Sequence, residues 1–133
     1  MFLPRPLVYL WALPTTLFGL PFVPLALASG GRMQLVDGVL EIHGGFVAAF
    51  LRYCTVLRGG ASAMTLGHIV IGRSKDLLDF TRAHERVHVR QVERWGPLFI
   101  PAYLFFSAVI LFKGGHWYED NPFEREAYGA ERP

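Results

Sequence analysis

The stretch TRAHERVHVRQVERWG, residues 81–96, carries His84, Glu85 and His88 in the order H-E-x-x-H. Two histidines at i and i+4 of a helix present imidazole nitrogens one turn apart, and a hydrolytic zinc wants three protein ligands and an open position for water. Glu85 stands beside the first histidine, rotated so that its carboxylate can reach that water. There it acts as a general base, taking the water's proton while the metal lowers the water's pKa toward neutrality. The competing reading is an ordinary amphipathic helix that holds these letters by accident. With this chain's own His and Glu content, chance produces the pattern about 1% of the time.

A third ligand must come from elsewhere in the chain. Cys54 is the only cysteine, which excludes an internal disulfide, a C-x-x-C pair and a thiolate cage, and reads as a small core hydrophobe. Nitrogen and oxygen must therefore hold any metal. Downstream candidates are His116, Glu119, Asp120, Glu124 and Glu126. If the apolar run 97–112 is helical, about 16 residues at 1.5 Å carry the chain about 24 Å from the histidines. Residues 113–124 can return that distance, since extended residues cover up to about 3.3–3.6 Å each, so Glu124 is within reach. A complete site then requires 97–112 to be a packed hairpin arm, a re-entrant helix or an interfacial helix. A true span would leave Glu124 across the membrane from His84 and His88.

The elements that position these residues follow from the pattern around them. Ser74 is an N-cap and Asp76 lies in the first turn, while Trp95, Gly96 and Pro97 are stop signals, so a helix fills the interval. Leu77, Thr81, His84, His88, Val92 and Trp95 recur at steps of three or four and share one face. Arg82, Arg86, Arg90 and Arg94 read as a solvated face or as contacts to lipid headgroups. Upstream, Asp37-Gly38 separates two short apolar runs and predicts a hairpin pairing 33–36 with 39–42. A short helix follows, carrying Arg52 and Arg58 and ended by Gly59 and Gly60. Residues 63–72, β-branched and apolar, read as one strand, and a short polar helix begins near Asn121 or Pro122.

The chain has 133 residues, enough for one domain with a modest core. It is 52% hydrophobic with eleven Phe and three Trp, and its formal charge is only +2. The charges are interspersed rather than gathered into a basic stripe, which argues against nucleic acid as a partner and for a lipid membrane. Residues 7–28 hold no charge and are long enough to cross a bilayer. Pro14, Pro21 and Pro24 predict a kinked helix or a pair of interfacial segments rather than a straight span. This stretch reads as an anchor, with cleavage of a signal near Ala28 as the alternative.

The motif pair resembles the zincin metallopeptidases whose third ligand is a glutamate. It resembles especially the small bacterial membrane-associated proteins with H-E-x-x-H-x-x-Q on one helix and E-x-E-A on a later one. Here those are His84, Glu85, His88 and Gln91, then Glu124, Glu126 and Ala127. In membrane peptidases of this kind the later motif is commonly E-x-x-x-D, with its first Glu as ligand. Glu124 takes that place, and Tyr128 stands where the Asp would be. The resemblance covers roughly residues 63–128, about half the chain.

It implies zinc (Zn2+) held by His84, His88 and Glu124, with Glu126 as the alternative ligand, and Glu85 as the base in hydrolysis of a peptide or protein substrate. It also implies an edge strand before the active helix that holds substrate by backbone pairing, which brings His68 to the margin of the site. His116 and Tyr118 become candidates for oxyanion donors, and Gln91 and Tyr128 for the groups that orient ligands. The expected fold is α+β: a minimal zincin-like domain with a short β-hairpin, an edge strand, an active-site helix and hydrophobic membrane-associated helices. Residues 1–30 form its membrane segment and 31–133 its metal-binding domain, which includes a hydrophobic helix at 97–112. The expected location is a bacterial inner membrane. A rival reading keeps the zinc as a structural pin, or docks a partner, without catalysis, because so short a chain offers little wall for a cleft.

Overall fold

The computed structural model of the protein describes residues 4–55 and 60–131. Within them the chain runs α1 (Arg5–Thr16), α2 (Phe22–Ala28), β1 (Arg32–Val36), β2 (Val39–His43), α3 (Gly45–Tyr53), β3 (Ala63–Leu66), β4 (Ile69–Gly72), α4 (Lys75–Trp95), α5 (Phe99–Phe112) and α6 (Pro122–Glu131). The fold is α+β, built around one mixed sheet of strand order β1-β2-β4-β3. Of the helix expected up to Gly60, α3 closes at Tyr53, and Arg58 and Gly59 lie outside the described residues.

Asp37 and Gly38 both take positive φ, 50° and 80°, the two left-handed positions that a tight hairpin turn of type I′ demands. Val36 accordingly pairs with Val39, in the register the sequence predicts. Residues 63–72 depart from expectation. They form a second hairpin instead of one strand, because Gly67, at φ 69°, reverses the chain between Leu66 and Ile69, which pair across the turn. A Gly-His turn flanked by apolar residues on both sides lacks the Asn-Gly or Asp-Gly signature that marks such reversals. As a result β3 is one edge of the sheet, β1 being the other, and His68 lies on the turn.

Strand β4 is buried at every position because both faces of the sheet are covered. Ile69 and Ile71 join Ala26, Ile42, Val47 and Leu51 in the core beneath α2 and α3. Val70 faces the other way, onto Val39, Leu78 and Val89 beneath α4. Gln34, Glu41, Val70 and Thr65 are opposite one another in register across all four strands. This row faces α4. Its Glu41, 1% exposed, accepts hydrogen bonds from Arg82 Nε and Nη2 at 3.0 and 2.8 Å, from Arg86 Nη2 at 2.9 Å and from Gln34 Nε2 at 2.9 Å. Arg82 and Arg86 therefore fasten the helix to the sheet, where the sequence suggested solvent or lipid; their partner sits 41 and 45 residues upstream.

Ser74 caps α4, its Oγ accepting from Leu77 N at 3.1 Å. At the other end, Gly96, at φ 57°, turns the chain through a 3-10 turn into α5 and lies so close under the Trp11 indole that a side chain there would collide with it. Taken together, Lys75–Phe112 is long and apolar enough to cross a membrane by length and composition. Its apolar part, α5, is 14 residues long, about 21 Å, against about 30 Å of hydrocarbon in a bilayer. The N-terminal apolar run is broken after Thr16 into two helices, as its prolines predict. Ala12 of α1 is buried with Val92, Phe99 and Phe123, while Leu10, Leu17 and Phe18 remain exposed.

Burial opposes ionisation of Glu41, but the Arg82 and Gln34 hydrogen bonds and the charges of Arg86 and Arg82 hold its pKa below the ordinary 4.5. A depressed carboxylate pKa contributes stability above the unfolded value and loses it as pH falls through the folded one. Glu41→Gln should cost about 3–5 kcal/mol at pH 7, the usual penalty for stranding a buried partner. In urea unfolding, the gap between parent and variant should narrow progressively as pH falls below about 4.5. A gap independent of pH would contradict this role.

Candidate metal centre

Fastening α4 through Arg82 and Arg86 turns His84 and His88 toward α6. That helix is held by Phe123, buried against the rings of Trp95, Phe99, Tyr103 and Phe106, and by Asn121. Asn121 Oδ1 caps Phe123 N at 2.9 Å, while its Nδ2 donates to Tyr103 O and Ser107 Oγ on α5 at 3.1 and 2.8 Å. Residues 113–121 thus run back along α5. Glu124, one position after Phe123, is delivered to the histidines.

His84 Nε2, His88 Nε2 and Glu124 Oε1 converge: the separations are 3.0 Å (His84 to Glu124), 3.1 Å (His88 to Glu124) and 3.2 Å (His84 to His88). All three residues are buried, and they are the one group with metal-ligating spacing among the described residues. Zinc bonds of about 2.0–2.1 Å in tetrahedral array space their donor atoms about 3.3 Å apart, close to this triangle. The donor set, two imidazoles and one carboxylate, is one that zinc accepts.

The surroundings fix the orientation of the His88 ring. Gln91 Nε2 donates to Phe123 O at 3.0 Å and to Glu126 Oε1 at 2.6 Å, so the amide oxygen is the atom left facing His88. His88 Nδ1–H donates to it at 2.8 Å, which aims Nε2 into the triangle; burial opposes a charge on this ring, but the hydrogen bond to Glu124 and the Glu124 charge push its pKa up to about 9, so a metal would take the place of the Nε2 proton. Tyr103 OH donates to Glu124 Oε2 at 2.6 Å, leaving Oε1 to the histidines. Burial opposes the charge on Glu124, yet hydrogen bonds from His84, His88 and Tyr103 and the charge of His88 bring its pKa down to about 2. It is a carboxylate at neutral pH.

Glu85 is buried as well, which pushes its pKa up, partly offset by His88 and by Thr65. Thr65 Oγ1, on the edge strand, donates to Glu85 Oε2 at 2.7 Å. His84, Glu85, His88 and Glu124 share a cavity of about 410 Å³ with Met64, Leu66, Phe99, Ile100, Leu104 and Tyr118. Burial and the Glu124 charge raise the Tyr118 pKa, so its phenol keeps its proton.

The other expected residues divide. Gln91 holds His88 by the contact described above. Tyr128 packs its ring 4.4 Å from that of His84 and meets Tyr118 OH at 2.8 Å. Glu126 sits on Gln91, not in the triangle. His68 is outside the cavity: its Nε2 meets Glu93 Oε2 at 2.8 Å and its ring lies 4.0 Å from Tyr9, a seam between α1 and α4. His116 is also outside, its Nδ1 accepting from Tyr118 N and Glu119 N in a turn of its own loop. Asp120 closes that loop, accepting from His116 N and Arg125. Cys54, expected in the core, is exposed and lines the cavity. Sequence reading missed Thr65 and Tyr103. Tyr103 carried a usable signal, since it and Ser107 are hydroxyls four apart in an otherwise apolar helix.

The chain matches no protein-family model, no curated protein and no solved structure. The centre is therefore read from its own geometry.

Metal analysis of purified protein should find about one zinc per chain, lost in His84→Ala, His88→Ala and Glu124→Ala but kept in Glu126→Ala. Tyr103→Phe should retain the site with affinity about 10–100-fold weaker, the usual cost of losing a group that orients a ligand. Zinc retained in Glu124→Ala and lost in Glu126→Ala would move the ligand by two residues.

Proposed function

We propose that the protein is a membrane-attached zinc peptidase whose metal is held by His84, His88 and Glu124. The observation that carries this reading is the placement of Glu85: a buried carboxylate that shares the cavity with the ligand triangle and is steadied from the edge strand by Thr65. A purely structural metal pin has no use for a buried base at its open side. Bound zinc supplies Lewis-acid polarisation of a carbonyl and acidifies water.

The chain's own groups then handle the protons. Thr65 engages Glu85 Oε2, and Glu85 Oε1 takes the proton of the attacking water, its raised pKa bringing it nearer the working pH. As the C–N bond breaks, the same carboxyl returns that proton to the leaving amine, so the base is regenerated. Tyr118, protonated, donates to the carbonyl oxygen as negative charge develops there.

Membrane attachment is in the plane rather than across it. The short α5 ends in a loop carrying Lys113, His116, Glu119 and Asp120 that runs back along α5 to α6, and α6 packs on α4, so both ends of α5 stay with the polar side. Its outward residues Leu104, Phe105, Leu111 and Phe112 are exposed, as are those of α1, which suits insertion into one leaflet. This fits the arm that a complete site requires.

One observation favours a second reading, in which the site pins the fold without catalysis and a zinc held there serves structure alone: Glu124 contacts both histidines directly, which ties α6 to α4. The two readings part at Glu85. Under the peptidase reading, Glu85→Gln binds zinc as the parent does, folds with similar stability, and loses about 10²- to 10⁴-fold in the rate of cleaving fluorogenic peptides. Under the pin reading, Glu85→Gln is silent and His84→Ala unfolds the domain. The attachment has its own check. The full chain should sediment with membranes and resist carbonate and high-salt washing, since apolar burial is not screened by salt; recovery in the soluble fraction would contradict it.

A further inference from the structure

On the face of α4 turned away from His84 and His88, a second pocket of about 260 Å³ opens between three elements: the start of α1, the β1–β2 turn and α4 itself. Pockets for drug-sized ligands run to about 300–1,000 Å³, so this one suits a smaller, polar group. Arg86, Val89, Arg90 and Glu93 line it from α4, Arg5 from α1 and Asp37 from the turn. Tyr9 ties the turn to α1, its hydroxyl donating to Gly38 O at 2.6 Å, and Arg5 Nη1 ties α1 to α4 by donating to Glu93 Oε2 at 3.2 Å. The walls of the pocket are thereby fixed relative to one another.

Not all the charges on those walls are spent. Glu93 is taken by Arg5 and His68, and Arg86 Nη2 by Val36 O and Glu41. Arg86 Nη1, buried, has no hydrogen-bond partner among the described residues. Neither the Arg90 guanidinium nor the Asp37 carboxylate has an ionic or hydrogen-bonded partner among them, so one cation and one anion share the pocket unmatched. A guanidinium pairs with a phosphate through parallel N–H donors, and a carboxylate pairs with an ammonium. Helix α1, having begun at Arg5, leaves Leu7, Leu10 and Leu13 exposed, so the polar pocket adjoins an apolar helix surface. We infer that the pocket binds a phosphodiester bearing a primary ammonium, the phosphate on Arg90 and Arg5 and the ammonium on Asp37. This group is the headgroup of an ethanolamine phospholipid, with its acyl chains along α1, or the soluble glycerol diester of the same chemistry. A choline headgroup carries the same charges but no N–H, and forfeits the hydrogen bond to Asp37. The site does not rest on the peptidase reading.

Soluble headgroup analogues test the site without turnover. Glycerophosphoethanolamine, glycerophosphocholine and inorganic phosphate are each titrated into the full chain in maltoside micelles, and binding is followed by the NMR shifts of the Gly38 amide and the arginine Nε–H groups. The ethanolamine diester should bind about 10-fold more tightly than the choline diester, the usual worth of a hydrogen bond between charged groups. Asp37→Asn keeps the turn, because Asn takes positive φ before Gly as readily, and should bring the two diesters level. Arg90→Gln, at an exposed helical position, should weaken both diesters about 10-fold. Inorganic phosphate should be weakened by Arg90→Gln and not by Asp37→Asn.

Equal binding of the two diesters by the parent, an ethanolamine preference that survives Asp37→Asn, diester binding unchanged in Arg90→Gln, or no binding of either diester would overturn the inference. Vesicles then assign the source. Stronger retention of the parent on phosphatidylcholine vesicles containing phosphatidylethanolamine than on phosphatidylcholine alone, lost in Asp37→Asn, identifies the lipid; equal retention with the soluble preference intact identifies the free diester. A parent that keeps the ethanolamine preference but shows no Glu85-dependent cleavage loses the enzyme and keeps this site.

Discussion

The rotation of α4 about its own axis is the constraint on which the candidate centre depends. Positions two apart on an α-helix lie about 200° apart, so Arg82 and Arg86 point almost opposite to His84 and His88. Glu41, buried on β2, engages both arginines and thereby presents both histidines to the far side. The same cross-strand row contributes Thr65, which meets Glu85 at the flank of the helix. One line of residues across the sheet sets where His84, Glu85 and His88 stand, and Val70 in its middle supplies the apolar contact that seats the helix.

The second half of the centre arrives by a return of the chain. Helix α5 leads away from the histidines, and a polar ladder within it brings the chain back: Ser107 Oγ donates to Trp117 O at 2.8 Å, and Asn121 reaches Tyr103 O and Ser107 Oγ. Phe123 then sinks into an aromatic nest beside α4, and Glu124 follows it into place. Tyr103 serves both tasks, with its carbonyl accepting from Asn121 and its hydroxyl donating to Glu124. A helix apolar enough to be taken for a membrane span is thus tied along one side to its own returning loop.

Much of this was legible in the sequence, for identifiable reasons. The H-E-x-x-H, the Ser74 cap, the Asp37-Gly38 turn and the start of α6 are local signals, each confined to a few neighbouring residues. The reach of Glu124 followed from chain lengths alone. What escaped was non-local or locally disguised. The Glu41 clasp pairs residues 41 and 45 apart, so the arginines looked like an unpartnered surface stripe. The Gly67 turn lies inside an apolar run, so the two strands read as one in the sequence, and His68 reads as a strand residue although it lies on the turn. The apolar composition of α5 points to a membrane and hides the hydroxyl face that Tyr103 and Ser107 form within it. Cys54 reads as a core residue by type, whereas it ends α3 on the cavity wall.

The centre's existence is the claim on which the functional account stands, and it is tested most directly by anomalous diffraction at the zinc absorption edge from crystals of the full chain. A single strong peak is expected, about 2.0–2.1 Å from His84 Nε2, His88 Nε2 and one Glu124 oxygen, with Glu85 beside its open side and not bonded to it. Direct His84–Glu124 and His88–Glu124 hydrogen bonds at full occupancy with no anomalous peak among them, in crystals grown with zinc, would contradict it. The H-E-x-x-H would then be an ion-paired seam between two helices.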